Sequence, residues 1–261
     1  MRGFSLVELS IVLVILGLLT GGILAGQSLI RASELRAVTS EYQRYTAAGN
    51  TFRDKYFAIP GDFRDATRFW TRGVAAAHCV SQSGAAVGSP GACDGDGNGF
   101  ISYALASESA EGFQFWRHLA LAGLVEGSYT GIASAGGSSD ATIGTNVPAS
   151  KLGNAAWSFQ NASNYVGDGS TYAMDYGNMF NFGGKTTNAL TYATVLKPEE
   201  AWNIDTKMDD GKPASGKVIA RYWNNACSAA DDGTHANNDL VASYKLSDST
   251  LQCALHFRHP F

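Results

Sequence analysis

The chain has 261 residues, a formal net charge of −4 and a charged fraction of 16%. This length allows one substantial domain beside a membrane anchor, and the acidic balance excludes a protein that binds nucleic acid through a basic surface. The 30 glycines and the scarcity of long charged side chains predict a loop-rich domain of the kind common outside cells.

The N-terminal segment is apolar except for one acid and one early arginine. Glu8 precedes an uncharged stretch from Leu9 to Ile30, and about 20 apolar residues are enough to cross the hydrocarbon core of a bilayer. An ordinary secretory signal has a basic start and a shorter apolar core of roughly 7–15 residues, which does not match this segment. A plain signal anchor explains the length but not the acid, which usually marks function when it lies beside hydrocarbon.

The string Gly3-Phe4-Ser5-Leu6-Val7-Glu8, followed by the apolar stretch, resembles the class III leader of type IV pilins and type II secretion pseudopilins. The resemblance implies that a prepilin peptidase cuts after Gly3 and that the new amine, on Phe4, is N-methylated. It also implies that Glu8 pairs with the Phe4 amine of a neighbouring subunit in a filament. Charge balance agrees with this role, because a buried carboxylate that loses its cation is strongly destabilising.

The chain differs from the commonest family pattern near the middle of this helix. Many pilins have a proline there, whereas position 25 is Ala25 and glycines lie nearby at Gly21, Gly22 and Gly26. Glycine loosens a helix interior, but small residues also allow close helix packing in membranes. Both interpretations stay open.

The helix is predicted to continue out of the membrane. Residues at alternating steps of three and four form a stripe along one helix face, as in a helix that packs on a domain: Leu35, Val38, Tyr42, Tyr45, Gly49, Phe52 and Tyr56. Pro60-Gly61 should end the helix, because proline lacks an amide donor and disfavours helical geometry in the preceding residue. We therefore divide the chain into a leader (1–3), a transmembrane or filament-core helix (4–30), the second half of the N-terminal helix (31–59) and a globular head (60–261).

The head is predicted to be α+β, with an antiparallel sheet packed on the long helix. Four short segments with β-branched or aromatic residues indicate strands: Ala189–Leu196, Lys217–Trp223, Val241–Leu246 and Leu251–Arg258. A helix is predicted over Glu108–Leu121. A second helix should start at Pro198, because proline and the acids that follow it suit a first helical turn.

The 4 cysteines fall into two local pairs. We predict the disulfides Cys79–Cys93 and Cys227–Cys253, because a translocated head would fold in an oxidising compartment, although four cysteines formally allow three connectivities. The close Cys-x-x-Cys spacing of structural zinc sites is absent.

The run from Asp94 to Ile101, DGDGNGFI, matches the first eight positions of a calcium loop, with oxygen side chains at alternate positions and a glycine for the sharp turn. The candidate ligands are Asp94, Asp96, Asn98 and Phe100. The twelfth position is Leu105 instead of glutamate, so Glu108 or Glu111 would have to complete the set. A series of Asp-Gly and Asn-Gly turns without a metal is the alternative, and both interpretations stay open.

A second acidic turn contains Asp205, Asp209 and Asp210. Acids this close together either repel one another in solvent or surround a cation. Pseudopilins often carry a calcium site in the head, so the resemblance implies calcium as a candidate cofactor here as well, with a weaker ligand pattern than the Asp94 loop.

Catalytic constellations are scarce: the sequence has no His-Glu-x-x-His zinc motif, no Gly-x-Ser-x-Gly elbow and no phosphate-binding loop with its lysine. We therefore predict that the protein is not an enzyme. His256 and His259 lie on opposite sides of a predicted strand, so one packed and one exposed imidazole are expected instead of a joint metal site.

The leader resemblance implies a structural subunit of a type IV pilus-like filament or a secretion pseudopilus. Its partners would be identical or homologous pilin subunits, the prepilin peptidase and N-methyltransferase, an inner-membrane assembly platform and, before assembly, membrane lipid. The precursor would lie in a bacterial inner membrane with its head in the periplasm, and the processed subunit in a filament at the cell surface or in the periplasm. Two other classes stay open: a minor tip pilin that acts as an adhesin or ligand-binding module, and a membrane-tethered hydrolase.

Overall fold

The fold is α+β, with a long N-terminal helix and an antiparallel sheet. The computed structural model describes residues 5–70, 91–102, 111–134, 137, 139–163, 171–221, 226–229 and 239–261. The helices are α1 (Leu6–Tyr56), α2 (Ala66–Phe69), α3 (Glu111–Leu121) and α4 (Pro198–Met208), and the strands are β1 (Ala155–Asn161), β2 (Asn178–Gly184), β3 (Val218–Ala220), β4 (Ser228–Ala229), β5 (Ser243–Tyr244) and β6 (Leu255–Arg258).

The predicted continuation of the N-terminal helix is confirmed, since α1 is a single helix of 51 residues. It ends at Tyr56, before the predicted stop at Pro60. Phe57 takes the left-handed conformation with φ 53°, and its N–H donates to Arg53 O at 2.8 Å. The predicted stripe is the face that packs on the head: Leu35, Val38, Tyr42, Tyr45, Gly49, Phe52 and Tyr56 are all buried or half-buried.

The main sheet has four antiparallel strands in the order β1-β2-β6-β3, and β4 pairs with β5 in a separate two-stranded sheet. One face of the main sheet is aromatic and packs against α1 and α3. Phe159 stacks on Phe115 of α3 with ring centroids 4.0 Å apart, and Phe257 stacks on Tyr42 of α1 at 4.8 Å. This aromatic layer between the helices and the sheet forms the centre of the core.

The opposite face of the sheet combines polar side chains with a second apolar cluster that includes Met179 and Ile219, and it is also covered. The hydroxyls of Ser158 and Thr191 lie 2.8 Å apart, and His256 Nδ1 lies 2.8 Å from Asn181 Oδ1. The chain around Thr191 can approach this closely because Gly183 lies beneath it: a Cβ there would be 2.5 Å from the Thr191 carbonyl oxygen. Burial on both faces fixes the sheet between two layers of chain.

The predicted strand Ala189–Leu196 is wrong. This segment crosses the polar face of the sheet as irregular chain and makes two isolated antiparallel bridges, Gly184 with Ala193 and Leu196 with Cys253. Thr191 N donates to Ser158 Oγ at 3.3 Å and Val195 N donates to Cys253 O at 2.9 Å. These β-branched residues therefore bond to distant segments without forming a continuous ladder, and β propensity is overridden by tertiary context.

The other predicted strands are shorter than expected, with β3, β5 and β6 lying inside the predicted ranges. Trp223 and part of its predicted strand lie outside the described residues. The helix predicted to start at Pro198 is confirmed as α4, and α3 runs from Glu111 to Leu121, while 108–110 lie outside the described residues. The pair β1 and β2 was not predicted.

The predicted disulfide between Cys227 and Cys253 is confirmed, with Cα atoms 4.9 Å apart. It joins the start of the small β4–β5 sheet to the segment that leads into β6. The predicted Cys79–Cys93 pair involves Cys79, which lies outside the described residues.

Candidate functional site

The first half of α1 projects from the head with its apolar side chains uncovered. Leu6 is 86% exposed, Leu18 73% and Leu29 72%. The apolar window in this helix has a mean hydropathy of 2.4 and none of it is buried in the protein. By length and composition, α1 can therefore cross a membrane near the N-terminus.

Glu8 forms part of a capping box at the start of α1. Its Oε2 accepts a hydrogen bond from Ser5 N at 2.9 Å, while Ser5 Oγ accepts one from Val7 N at 3.3 Å. The spacing Ser5-x-x-Glu8 is the known sequence signature of this motif, and it went unused in the sequence analysis. Gly3 and Phe4, the predicted processing residues, lie outside the described residues.

Arg31 is the first charged residue after the apolar stretch, and it fastens α1 to the head. Its guanidinium donates to both carboxylate oxygens of Glu200 at 2.6 Å and to the carbonyl of Val195 at 3.1 Å. Burial by itself would raise the pKa of Glu200, but the hydrogen bonds from Arg31 and from Lys197 N outweigh it and hold that pKa below its usual value. This bidentate pair lies where α1 meets the N-terminal end of α4.

Glu41 forms a second polar contact between α1 and the head, in the middle of the packed half of the helix. The residue is 5% exposed, and its carboxylate accepts hydrogen bonds from Ser150 Oγ at 2.6 Å, Lys151 N at 2.8 Å and Trp157 Nε1 at 2.8 Å. Glu41 lies three residues after Val38 and four before Tyr45, so an acid beside the predicted apolar stripe was the available signal for this site. Its role was not predicted from the sequence.

A first group of carboxylates forms beside the Asp94 loop. Ligand oxygens of Asp62, Asp96 and Glu111 all lie within 4.8 Å of one another. Asp62 accepts N–H bonds from Asn98 at 3.1 Å and Gly99 at 2.7 Å, and another from Gly97. Two buried carboxylates from outside the loop, Asp62 and Glu111, therefore hold its backbone in place.

The predicted calcium ligands separate into different roles in this arrangement. Asp94 uses both oxygens on Thr67, accepting from its N–H and from its hydroxyl at 2.8 Å, and Asn98 Oδ1 accepts from Phe100 N at 2.7 Å. Of the two predicted loop acids, Asp94 and Asp96, it is Asp96 that joins the group, together with Glu111, the alternative acid considered for its completion. Glu108 lies outside the described residues.

Glu111 is fully buried at the start of α3. Its carboxylate accepts from Asp96 N at 3.1 Å and from Ser102 N at 2.9 Å. Burial raises the pKa of both Glu111 and Asp62, and the nearby Asp96 carboxylate adds to the effect, against the lowering effect of the backbone N–H groups. The group thus brings three carboxylates together where two of them, Asp62 and Glu111, are buried away from water.

The second group, Asp205, Asp209 and Asp210, also has ligand oxygens within 4.8 Å of one another. Asp205 is fully buried at the end of α4 and accepts from the Tyr244 hydroxyl at 2.8 Å and from Gly211 N at 3.1 Å. Burial raises its pKa to about 7, with the charges of Asp210 and Asp209 acting in the same direction. The structure therefore brings together all three acids of the second predicted turn.

Each carboxylate in the two groups can accept more hydrogen bonds or ligand contacts than the described residues donate, because an ionised carboxylate has about four lone-pair positions. Oxygen ligands of this kind suit a hard divalent cation such as calcium. Both groups are thus compatible with calcium on their donor chemistry.

The two histidines near the end of the chain behave as predicted, since His256 is buried on the polar face of the sheet and His259 is exposed.

Comparisons of the chain with protein-family models, with curated proteins and with solved structures gave no match.

Proposed function

We propose that the protein is a non-catalytic subunit of a pilus-like or pseudopilus filament, held in a membrane before assembly and polymerised through the exposed half of α1. The observation that carries the proposal is the uncovered apolar helix from Leu6 to Ile30 joined to a packed head. The leader-like string that ends at Glu8 adds the processing step.

The physical case rests on the surface that the fold leaves open. Apolar area that is removed from water contributes about 25 cal/mol per Å², and monomeric proteins rarely leave a contiguous apolar patch larger than a few hundred Å² exposed. A lipid bilayer covers such a helix in the precursor, and the same helices of neighbouring subunits cover it in a filament. The packed half of α1 keeps the head attached in both states.

Glu8 is the residue through which the proposal can be tested, because the capping box and the intermolecular ion pair make different demands on it. Glu8→Gln keeps an oxygen that accepts from Ser5 N and removes the charge. Glu8→Ala removes both. We expect both variants to be inserted and cleaved normally and to be lost from sheared filaments, as measured by mass spectrometry of the mature N-terminus and by immunoblotting of the filament fraction.

Glu34→Gln is the matched control, since Glu34 is an acid on the same helix that lies outside the apolar stretch and pairs with Arg31 at 3.3 Å. This variant should enter filaments normally. Filaments that contain Glu8→Gln at the wild-type level would show that Glu8 acts as a helix cap alone, and the charge-pairing mechanism would be rejected.

A further inference from the structure

Contacts between α1 and the head show where β6 and the residues before it lie along the helix. Phe261 approaches Gly49, and Phe257 stacks on Tyr42, so β6 runs alongside α1 and its earlier residues lie closer to the exposed half of the helix. Arg31 contacts Val195, whose N–H donates to Cys253 O at 2.9 Å. The residues before Cys253 therefore lie at the end of the head nearest the apolar helix.

The loop from Lys245 to Gln252 is held at this end on both sides. Lys245 N donates to Cys227 O at 3.1 Å, and Cys227 is bonded to Cys253. Gln252 N donates to Leu196 O at 2.9 Å. Both ends of the loop are thus fixed close to the Arg31 contact.

The chain from Phe257 back to Leu251 is long enough to extend along α1 as far as Arg31. From Tyr42 back to Arg31, α1 rises about 16 Å, and an extended chain from Phe257 back to Leu251 covers at most about 20 Å. The contacts fix the level more directly: Gln252 N donates to Leu196 O, and Leu196 follows Val195, whose carbonyl accepts from Arg31. Leu251, next to Gln252, therefore lies near the level of Arg31, where the apolar stretch of α1 ends.

The loop carries two leucines that the head covers only by half. Leu246 and Leu251 are each 50% exposed, and they lie on either side of a polar turn, Ser247 to Thr250, in which Asp248 accepts from Thr250 N at 2.8 Å. Single exposed leucines are normal on protein surfaces. Here the position is informative, because both lie beside the boundary of a segment that matches a bilayer.

The bilayer boundary follows from the helix itself. The uncharged residues from Leu9 to Ile30 span about 33 Å as a helix, close to the roughly 30 Å hydrocarbon thickness of a bilayer. When this stretch lies in a membrane, Arg31 and the loop beside it lie at the lipid headgroups.

We propose that the Lys245–Gln252 loop is a membrane-contacting edge of the head, in which Leu246 and Leu251 enter the lipid interface while α1 spans the bilayer. The partner is a phospholipid surface. The inference rests on the membrane-held precursor of the proposed function. It implies that the head stands on the membrane at a defined orientation through two contacts instead of one.

Site-specific photocrosslinking of the full chain in vesicles tests this contact. p-Benzoyl-phenylalanine replaces Leu246 or Leu251, one at a time, in protein reconstituted into vesicles of equal parts phosphatidylethanolamine and phosphatidylglycerol. Leu18, in the middle of the apolar stretch, is the positive control site. Phe57 is the negative control site, because it is 93% exposed and lies at the far end of α1, about 40 Å beyond Arg31.

We expect lipid adducts at positions 246, 251 and 18, identified by mass, severalfold above the background at position 57. Background labelling at both 246 and 251, with strong labelling at 18, would overturn the membrane-contacting edge and leave membrane anchoring intact. Adducts to a second copy of the chain at 246 and 251 would also overturn it, in favour of a contact between subunits. Loss of labelling at 18 would reject the membrane-held precursor, and the loop contact with it.

Discussion

Single residues on the packed face of α1 show how closely the head is fitted to the helix. Gly49 faces the ring of Phe261, and a Cβ at Gly49 would lie 2.6 Å from Phe261 Cε1. That ring also stacks against Phe159 at 5.6 Å. Glycine is thus required on the predicted stripe for close approach and not for helix formation.

Gly49→Ala should therefore destabilise the protein although alanine favours helix. The gain in helix propensity is about 0.5–1 kcal/mol, whereas overpacking costs about 1–3 kcal/mol, so we expect a net loss of about 1 kcal/mol in denaturant unfolding of the detergent-solubilised chain. In a Phe261→Ala background the same substitution should become stabilising. The same sign in both backgrounds would show that the ring of Phe261 does not limit this position.

Asp205 makes the stability of the head depend on pH. Its folded pKa of about 7 lies above the usual value of about 3.9 for an unfolded chain. Above pH 7 the folded protein carries the full cost of this buried charge, and stability from this group rises as pH falls through 7 toward 4 because the folded state takes up the proton first.

We expect Asp205→Asn to raise the melting temperature at pH 8 by more than at pH 5, measured with a chelator present. The wild-type curve alone is not sufficient, because buried His118 has a pKa lowered to about 4 and loses stability as pH falls below its unfolded value of about 6.5. The difference between variant and wild type isolates Asp205. An equal change at both pH values would contradict the raised pKa.

At the scale of elements, α1 is one continuous helix whose two halves have different surroundings. Its packed half was predictable, because an apolar stripe with helical spacing is a strong local signal. The central strands β1 and β2 were missed although Trp157-Ser158-Phe159-Gln160 and Phe180-Asn181-Phe182 alternate apolar and polar residues, which is the period of a strand. What this alternation does not reveal is that the polar face, with Ser158, Gln160 and Asn181, is buried as well. Their polar groups are satisfied only by residues distant in sequence, which no local pattern reveals.

The three hydrogen bonds that Glu41 accepts from the head should make a large contribution to the free energy of unfolding. Glu41→Ala leaves three donors without their acceptor, each costing about 1–3 kcal/mol when buried, so we expect a loss of about 3–5 kcal/mol in denaturant unfolding. Glu41→Gln should lose less, since one acceptor oxygen remains.

Gln43→Ala is the control for the Glu41 variants, because Gln43 is exposed on the same helix and surface substitutions usually change stability by no more than about 0.5 kcal/mol. If Glu41→Ala behaved like Gln43→Ala, the three hydrogen bonds to the head would contribute nothing to its docking.

At the scale of the whole molecule, the candidate sites were only partly predictable. The second acid group is local in sequence and was found as a group. The first group depends on Asp62 and on the start of α3, which the fold brings to the Asp94 loop. A loop motif identifies only ligands that are close in sequence. The carboxylates that complete this group come from other elements, so the motif alone could not predict its composition.

Calcium should raise the stability of the whole head if either group binds it. Ligand at about 100 times its dissociation constant adds about 2.7 kcal/mol, which corresponds to roughly 5–10 °C in a domain of this size. We expect this rise on adding calcium after chelation, as followed by a melting scan. Identical midpoints with calcium and with chelator would reject calcium as a structural ion.

Two variants assign the calcium effect to one group or the other. Asp96→Ala removes a member of the first group and Asp210→Ala a member of the second, and both side chains are exposed. Asp54→Ala is the control, because Asp54 is exposed and belongs to neither group. The control should keep the full calcium response, and the variant at the binding group should lose it.

The side-by-side arrangement of α1 and α4 has a mechanical consequence. Near the start of α4, Glu200 pairs with Arg31. After its end, Asp209 accepts from Val218 N at 3.0 Å, and Val218 pairs with Phe257, which stacks on Tyr42. The two helices therefore run in the same direction, and the head lies along the rod instead of at its tip. Tension along the rod would load the Arg31 and Glu41 bonds together in shear, so that they would have to rupture at the same time instead of peeling apart one after another.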